Sequence, residues 1–233
     1  MISLQKLKKR CCLGLLALAL LLSGSWLWQE QQQRAVAAGA PVYHGNSGKG
    51  QVAICINVDW GEEFLPGMLE TLTQHDAKAT FFLTGRWTEK FPDMAKEIKT
   101  AGMEIGNHGL KHNSPNGMTY KENVADIRAA EEKIEAALHI HTTLFAPAAG
   151  EIDAQVQKAA EDLGYTLILW SVDTIDWQKP SPETIVERVT QKVEDGSIIL
   201  MHPTENTAAA LDDILAVLAE KELKPVPVSE LLK

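Results

Sequence analysis

The fold is decided by the stretch QVAICINVDWGEEFLPGMLETLTQHDAKATFFL, residues 51–83. Its first part, Val52–Val58, is a run of apolar residues that predicts a buried strand. A helix is predicted over Glu63–Gln74, because apolar residues recur there at spacings of three and four. Ala79–Leu83 then predicts a second strand. A strand, a helix and a strand in this order predict parallel pairing with a right-handed crossover.

The same alternation of apolar runs and amphipathic segments continues to the C-terminus. Further strands are predicted at Met103–Gly106, Leu144–Pro147, Thr166–Val172, Ser197–Met201 and Pro225–Val228. Helices are predicted at Arg86–Thr100, after the capping box Thr119–Glu122, at Ala154–Leu163, after the Ser181 N-cap and at Ala208–Glu220. These patterns predict one α/β domain with about seven parallel strands. Periodicity alone leaves open whether the sheet closes into a barrel.

The composition and charge of the chain favour a globular domain and argue against a nucleic-acid-binding protein. The chain has 233 residues, of which 45% are hydrophobic, and this is enough for one domain with a sizeable core. The formal net charge is -9, and residues 41–233 carry 17 basic and 30 acidic side chains, a net of -13. An acidic domain of this kind repels nucleic acid, so we expect no nucleic-acid partner. Two of the three cysteines are adjacent near the N-terminus, and no disulfide framework is predicted.

The N-terminus has the features of an export signal. A basic stretch, Lys6–Arg10, precedes the uncharged Cys11–Trp28, and Ala35-Val36-Ala37 offers a cleavage site. The apolar stretch is also about long enough to span a bilayer. We therefore predict three regions: a signal peptide or membrane anchor with a polar stalk over 1–40, a linker over 41–50, and the domain over 51–233. Whether secreted after cleavage or anchored, the domain is expected to be extracytoplasmic.

The residues that could carry chemistry lie at, or just after, the C-terminal ends of predicted strands. They are Asn57, Asp59, His108, Ala146, Asp173, Asp176 and His202. In barrels and in open parallel sheets this edge is where functional sites form. The sequence therefore predicts that these residues share one pocket.

The strongest local pattern is the pair His108 and His112, four residues apart. On a helical turn the two imidazoles can face the same way, and the carboxylate of Asp59 could complete a three-ligand site on a divalent metal. Such a site leaves a coordination position open, which is typical of catalytic metals. Where a hydrolase of this layout would carry a carboxylate base, the chain has Asn57.

The segments around these residues resemble the polysaccharide deacetylases, that is, the NodB-homology domain of carbohydrate esterase family four. The resemblance runs from about Gln51 to the C-terminus, over Ile56–Gly61, Lys78–Phe82, His108–His112, Phe145–Gly150, Trp170–Trp177 and Ile199–His202. The pair Trp60-Gly61, directly after the first motif, resembles the sequence found at this position in the sporulation-associated branch of the family. The family implies an irregular (β/α) barrel and a bound zinc ion, with cobalt or nickel as alternatives. It also implies removal of N-acetyl groups from peptidoglycan or a related amino-sugar polymer.

The resemblance also implies roles for individual residues. Asp59, His108 and His112 would bind the metal, and His202 would protonate the leaving amine with Asp176 or Asp173 as its orienting partner. The substrate cleft would be lined by Trp60, Pro147, Trp170, Trp177 and Leu200, the last beside the acetyl methyl group. For Trp170 and Trp177, a place in the core is the alternative to stacking on sugar rings.

Two positions depart from the family pattern. The base position holds Asn57, which cannot take a proton near neutral pH, and the position of the Arg that would hold the base is Ala146. An Arg buried beside a neutral amide would lack its charge partner, so the loss of both is physically coherent. Two alternatives would restore a base: a register in which Asp59 is the base and Trp60 occupies the ligand position, or a carboxylate from Glu62 or Glu63.

The sequence therefore predicts an exported, metal-dependent polysaccharide de-N-acetylase that hydrolyses C–N amide bonds. The alternative is a catalytically impaired pseudoenzyme that binds a glycan or a partner at the cell envelope. The alternative depends on Asn57 and Ala146, since these two positions lack the groups that the reaction needs.

Overall fold

The structure is a computed structural model, and it describes residues 40–233. The predicted signal peptide or anchor, with its stalk, lies outside the described residues apart from Ala40. Across residues 40–233, every helix is too short or too polar to cross a membrane.

Strands and helices alternate along the described chain. The strands are β1 (Gln51–Val58), β2 (Ala79–Leu83), β3 (Glu104–Asn107), β4 (Leu144–Phe145), β5 (Thr166–Leu167), β6 (Val172–Asp173), β7 (Ile198–Met201) and β8 (Lys224–Pro225). The helices are α1 (Leu65–Gln74), α2 (Gly85–Lys90), α3 (Pro92–Thr100), α4 (Tyr120–Leu138), α5 (Ala154–Asp162), α6 (Pro182–Thr190), α7 (Glu205–Glu220) and α8 (Val228–Leu231). This alternation confirms the predicted α/β class.

The strands form one curled parallel sheet. Seven of them follow the order β5-β4-β3-β2-β1-β7-β6, and β8 pairs with the start of β1 off this path. Strands β5 and β6 are consecutive in the chain yet lie at opposite edges of the sheet. The sheet must therefore curl until residues 168–171 can connect its two edges. This curled half-barrel confirms the predicted irregular (β/α) barrel of about seven parallel strands.

Two predicted elements are divided in the structure, and the last predicted strand is cut short by a helix. The strand over Thr166–Val172 is two strands, because its first residues pair with β4 and its last residues pair with β7. The helix over Arg86–Thr100 is divided at Phe91, since Pro92 lacks an N–H and disfavours a helical conformation in the residue before it. The last predicted strand, Pro225–Val228, ends at Pro225, and Val228 begins α8 instead.

Residues 41–50, predicted as a linker, contact the barrel. Val42 forms a parallel bridge with Ile168 after β5, and His44 forms an antiparallel bridge with Ser197 before β7. Asp195 accepts hydrogen bonds from the backbone N–H groups of residues 48, 49 and 51. The segment therefore contacts the chain after β5, at one edge of the sheet, and the chain before β7, the strand next to the other edge.

The two faces of the sheet bury different side chains. Alternate residues of β1 pack under the helices in the larger core cluster, namely Val52, Ile54, Ile56 and Val58. The intervening Ala53 and Cys55 face the inside of the barrel, together with Phe82 and Ala146. Because side chains alternate along a strand, the inner faces of β1, β3 and β7 continue toward the barrel mouth through Asn57, His108, Leu200 and His202.

Candidate active site at the barrel mouth

A histidine held by a buried aspartate follows β7. His202 Nδ1 lies 2.7 Å from Asp176 Oδ1, and the backbone N–H of His202 donates to Asp176 Oδ2 at 2.6 Å. Thr207 donates its hydroxyl to the same Oδ2 at 2.7 Å. Asp176 is completely buried. Since an ionised carboxylate only accepts, Nδ1 carries the proton of the neutral His202 ring, and Nε2 is the nitrogen free to exchange a proton with a ligand.

Asp173, the other candidate partner of His202, shapes the turn that precedes Asp176. Its Oδ1 accepts a hydrogen bond from the backbone N–H of Ile175 at 2.8 Å. Ile175 has φ of 51°, which is strained for a β-branched residue. The structure therefore brings Asp176 to His202, whereas Asp173 ends β6 and stabilises the turn that follows.

Trp60 covers His202. The two rings stack with centroids 6.1 Å apart and planes 7° apart, and Trp60 is 44% exposed. Gly61 makes this approach possible, because it has φ of 82° and a Cβ there would lie 2.0 Å from the carbonyl oxygen of Pro203. The turn after β1 thus packs directly on the chain that follows His202.

The other predicted cleft residues differ in exposure. Leu200 is buried on the inner face of β7, and Pro147 is buried after β4. Trp170 is partly buried against the inner core cluster, while Trp177 is 57% exposed. The structure therefore places Trp170 partly in the core and leaves Trp177 at the surface.

Two cavities lie away from these residues. One, of about 370 Å³, is lined by the end of α1, by α7 and by β8, and the other, of about 290 Å³, includes Arg128 and Tyr165. Neither contains a residue predicted for the site. The mouth itself is formed by strand ends and the turns after them.

Asn57 and Ala146 lie on the inner side of the mouth, and both side chains are buried there. Asn57 is 5% exposed, and its Oδ1 has no hydrogen-bond partner among residues 40–233. Ala146 is 4% exposed and packs in the inner core cluster. A buried acceptor without a partner is uncommon in folded proteins. The Asn57 oxygen is therefore an unsatisfied acceptor at a position closed to solvent.

His108 is a buried neutral histidine. Its Nδ1 lies 2.7 Å from the carbonyl oxygen of Ala146, so Nδ1 donates and Nε2 keeps its lone pair. Burial, followed by the charge of His112, lowers the pKa of His108 to about 3. The rings of His108 and His112 meet edge to face with centroids 5.0 Å apart. A neutral imidazole that donates its other N–H to a backbone carbonyl is typical of metal-binding histidines.

Asp59 is held by a cation of the protein itself. Arg86 Nε donates to Oδ1 at 2.7 Å, Arg86 Nη2 donates to Oδ2, and the Thr84 hydroxyl donates to Oδ1 at 2.8 Å. Burial raises the pKa of the Asp59 carboxyl, but the hydrogen bonds from Arg86 and Thr84 more than offset this, so the pKa lies below its usual range. Both carboxylate oxygens are therefore occupied.

The predicted metal site does not form in this arrangement. In the part of the chain that the structure describes, no group of three or more His, Cys, Asp or Glu side chains is placed to hold an ion. His108 and His112 suit a divalent metal, but Asp59 does not, because both of its oxygens bind Arg86. The prediction of zinc, cobalt or nickel on Asp59, His108 and His112 thus disagrees with the geometry.

Sequence reasoning missed three residues of the mouth: Thr84, Arg86 and Thr207. Thr84 and Arg86 follow the C-terminal end of β2, and Thr207 lies in the first turn of α7. The strand-end rule that selected the other residues would have found Thr84 and Arg86 if it had been applied to β2.

Comparison with known proteins decides the family. A family model described as polysaccharide deacetylase matches residues 44–168. The chain belongs to the polysaccharide deacetylase family. The uncharacterized protein YlxY of Bacillus subtilis strain 168 is 38% identical over 192 residues, covering 82% of this chain and 60% of that protein, so this chain spans less than two thirds of YlxY. A peptidoglycan-N-acetylglucosamine deacetylase of Bacillus cereus is 34% identical over 206 residues, covering 85% of this chain and 72% of that one.

Solved structures support both the fold and the family. A CE4 family pseudoenzyme from Bacillus anthracis matches with a TM-score of 0.82 and 41% identity, covering 84% of this chain and 69% of that chain. A mutant of that pseudoenzyme, described as having restored enzymatic activity, matches with a TM-score of 0.82 and 39% identity over 84% and 72% of the two chains. Membership of the sporulation-associated branch stays a prediction.

Proposed function

We propose that this protein is an exported, catalytically impaired polysaccharide deacetylase that binds peptidoglycan or a related amino-sugar polymer. The observation that carries the proposal is the pair Asn57 and Ala146 at the mouth. The resemblance assigns a carboxylate base and its Arg to these positions, and this chain has an amide and a methyl group there. Both side chains are buried.

The argument for impairment concerns proton transfer. Amide hydrolysis needs one group that takes a proton from the attacking water and another that protonates the leaving amine. His202, oriented by Asp176, is suited to the second task. Asn57 cannot perform the first, because a neutral amide is not a base near neutral pH. Asp59 is a poor substitute, since Arg86 occupies both of its oxygens and keeps its pKa low.

The similar proteins support this proposal without deciding it. The Bacillus anthracis neighbour is described as a pseudoenzyme, and one of its mutants is described as having restored activity. A member of the family with the same barrel can therefore lose hydrolysis and regain it by mutation. The deacetylase of Bacillus cereus acts on peptidoglycan N-acetylglucosamine by name, and this supports an amino-sugar polymer as the ligand.

The mouth retains features that suit a glycan. Trp60 and Trp177 are exposed aromatic side chains, whose apolar faces can pack on sugar rings. Export of the domain rests on the N-terminal segment, and a role in sporulation rests on Trp60-Gly61.

A second candidate function is a weak metal-dependent de-N-acetylase. The hydrogen bond between His202 and Asp176 favours it, because Asp176, itself held by Thr207, keeps the proposed proton donor in position. Glu62 and Glu63 lie in the turn after Gly61, Glu62 partly exposed and Glu63 exposed, and could supply a carboxylate only if that turn moves.

The test measures binding and turnover separately on the full chain. We expect the protein to sediment with peptidoglycan and to release no acetate with zinc, cobalt or nickel present. Trp60→Ala should weaken binding about fivefold to tenfold, since one stacked aromatic ring is lost. Tyr43→Ala is the matched control, because Tyr43 is 48% exposed but lies between Val42 and His44, which bridge to Ile168 and Ser197. Lack of binding would refute the proposal, and steady acetate release would favour the second candidate.

A further inference from the structure

The turn that carries Asp176 has an unusual backbone at both of its ends. Ile175, directly before Asp176, has φ of 51°, and Lys179 has φ of 56°. Between these two residues, Asp176–Gln178 form a short 3-10 helix. The left-handed region is unfavourable for residues other than glycine, and most of all for a β-branched residue such as Ile175. Such a conformation persists only where the surrounding groups hold it.

The strained start of this turn is held by a side chain from α6. Arg188 Nη1 donates to the carbonyl oxygen of Thr174 at 2.7 Å and to the carbonyl oxygen of Ile175 at 3.3 Å. These two carbonyl groups belong to the peptide groups on either side of the Ile175 Cα. Since φ and ψ describe how those two peptide groups are rotated about the Cα, a donor that binds both carbonyls fixes both angles. A charged donor makes these bonds stronger than bonds between neutral groups.

Other contacts attach the turn to the strand that leads to His202. Thr174 is completely buried, and its hydroxyl donates to the carbonyl oxygen of Leu200 at 2.8 Å. Leu200 lies in β7, two residues before His202. With Thr174 fixed on β7, the conformation of Ile175 decides where the next residue, Asp176, is placed relative to His202.

The position of Arg188 follows from the local sequence of α6. Ser181 caps this helix, and Ile185 and Val189 are its buried residues. Arg188 lies three residues after Ile185, which places it beside the buried side of the helix. Its side chain is partly buried. The aliphatic stem of Arg188 can thus pack along the protein while the guanidinium reaches the turn.

We propose that Arg188 is a positioning residue for His202. By binding the carbonyl groups on both sides of Ile175, it holds the turn in the conformation that brings Asp176 to His202 Nδ1. Because the partner of one ring nitrogen sets the tautomer of a histidine, Arg188 keeps Nε2 unprotonated in the neutral ring. The inference deepens the proposed function, and it rests on that proposal only for the use of Nε2 by a bound glycan.

The experiment reads the ring nitrogens of His202 by NMR in the full chain with isotope-labelled histidine, without glycan or metal. At a pH where histidine is neutral, the unaltered protein should show His202 with its proton on Nδ1. Arg188→Met keeps an unbranched side chain without the cation, and the Nδ1-protonated fraction should fall from nearly all to roughly half. Arg128→Met is the matched control, since Arg128 lines a separate cavity, and it should leave His202 unchanged.

Two further variants separate positioning from a purely structural role. Ile175→Gly in the Arg188→Met background should recover part of the lost fraction, because glycine adopts positive φ without strain. If Arg188→Met does not fold, Arg188→Lys decides the question. It keeps a cation on a shorter side chain with different donor geometry, and it should lower the Nδ1-protonated fraction by a smaller amount.

A folded Arg188 variant that has lost stability but keeps the tautomer of the unaltered protein would overturn the inference. So would the absence of any recovery with Ile175→Gly. Peptidoglycan sedimentation is a separate measurement, so a failure to bind glycan would refute the proposed function and leave the role of Arg188 standing.

Discussion

The two halves of the barrel mouth differ in how completely their polar groups are paired. The His202 side, made of Asp176, His202 and Thr207, holds a buried carboxylate with three hydrogen bonds. The Asn57 side, made of Asn57 and Ala146, holds an amide oxygen without a partner among the described residues. The mouth thus keeps a histidine oriented to give a proton to a leaving group, but it has no carboxylate at Asn57 to take a proton from water.

This difference in hydrogen bonding indicates that the His202 side also stabilises the fold. Asp176 joins the turn after β6 to the end of β7 and to the first turn of α7. Its hydrogen bonds are therefore needed whether or not the protein hydrolyses a substrate. Within residues 40–233 the side chains of Asn57 and Ala146 make no such connection, so a carboxylate and an arginine can be lost there together at little cost to stability.

The largest expected effect comes from rebuilding the Asn57 side. Asn57→Asp combined with Ala146→Arg should raise acetate release about 100-fold or more at saturating zinc or cobalt, because a positioned general base contributes at least that much. Each single variant should remain near background and lose stability, since each buries an unpaired charge. Acetate release from an N-acetylated glycan, together with denaturant unfolding of all four proteins, provides the measurement. No gain in the double variant would show that the impairment lies elsewhere in the mouth.

Breaking the His202 side should destabilise the protein. Asp176→Ala leaves three buried donors without their acceptor and should lower the free energy of unfolding by about 3 kcal/mol. Asp176→Asn keeps one acceptor oxygen and should cost less. Urea denaturation of both variants checks this, and an Asp176→Ala protein as stable as the parent would contradict the structural role of this side.

The contact between the two sides depends on Gly61. Gly61→Ala should lower the free energy of unfolding by about 2 kcal/mol, because the left-handed backbone and the nearby Pro203 carbonyl both oppose a Cβ. Gly67→Ala in α1 is the control, since a Cβ there meets nothing within 4 Å and alanine favours a helix. Thermal unfolding of both variants and the parent provides the readout. Equal effects of the two substitutions would contradict the close packing of this turn.

The smallest expected effect is a pH dependence beside the Asn57 side, measured without added metal. The pKa of buried His108 is lowered from 6.5 to about 3, so between these values the unfolded chain binds a proton that the folded chain does not. Stability is therefore lost as the pH falls below 6.5, by about 1 kcal/mol between pH 7 and pH 5.5. His108→Gln should remove this part of the pH dependence. An identical pH profile for the variant and the parent would show that His108 is not the responsible group.

Local sequence patterns predicted β2 with its exact bounds and the capping box that opens α4. They gave wrong strand bounds where the pairing with neighbouring strands decides where a strand begins and ends. Thr166–Val172 has the local pattern of one strand, but its two ends pair at opposite edges of the curled sheet. The periodicity of apolar residues indicates which side chains are buried. It does not indicate which neighbouring strand supplies the backbone hydrogen bonds.

By itself the sequence determined that no carboxylate stands at Asn57 and no guanidinium at Ala146, because no arrangement of the chain can turn an amide into a base or a methyl group into a cation. Tertiary structure alone decided that Asp176, and not Asp173, binds His202, and that Arg86 forms an ion pair with Asp59. Both outcomes depend on distances between segments far apart in the chain, and those distances are set by how the sheet curls.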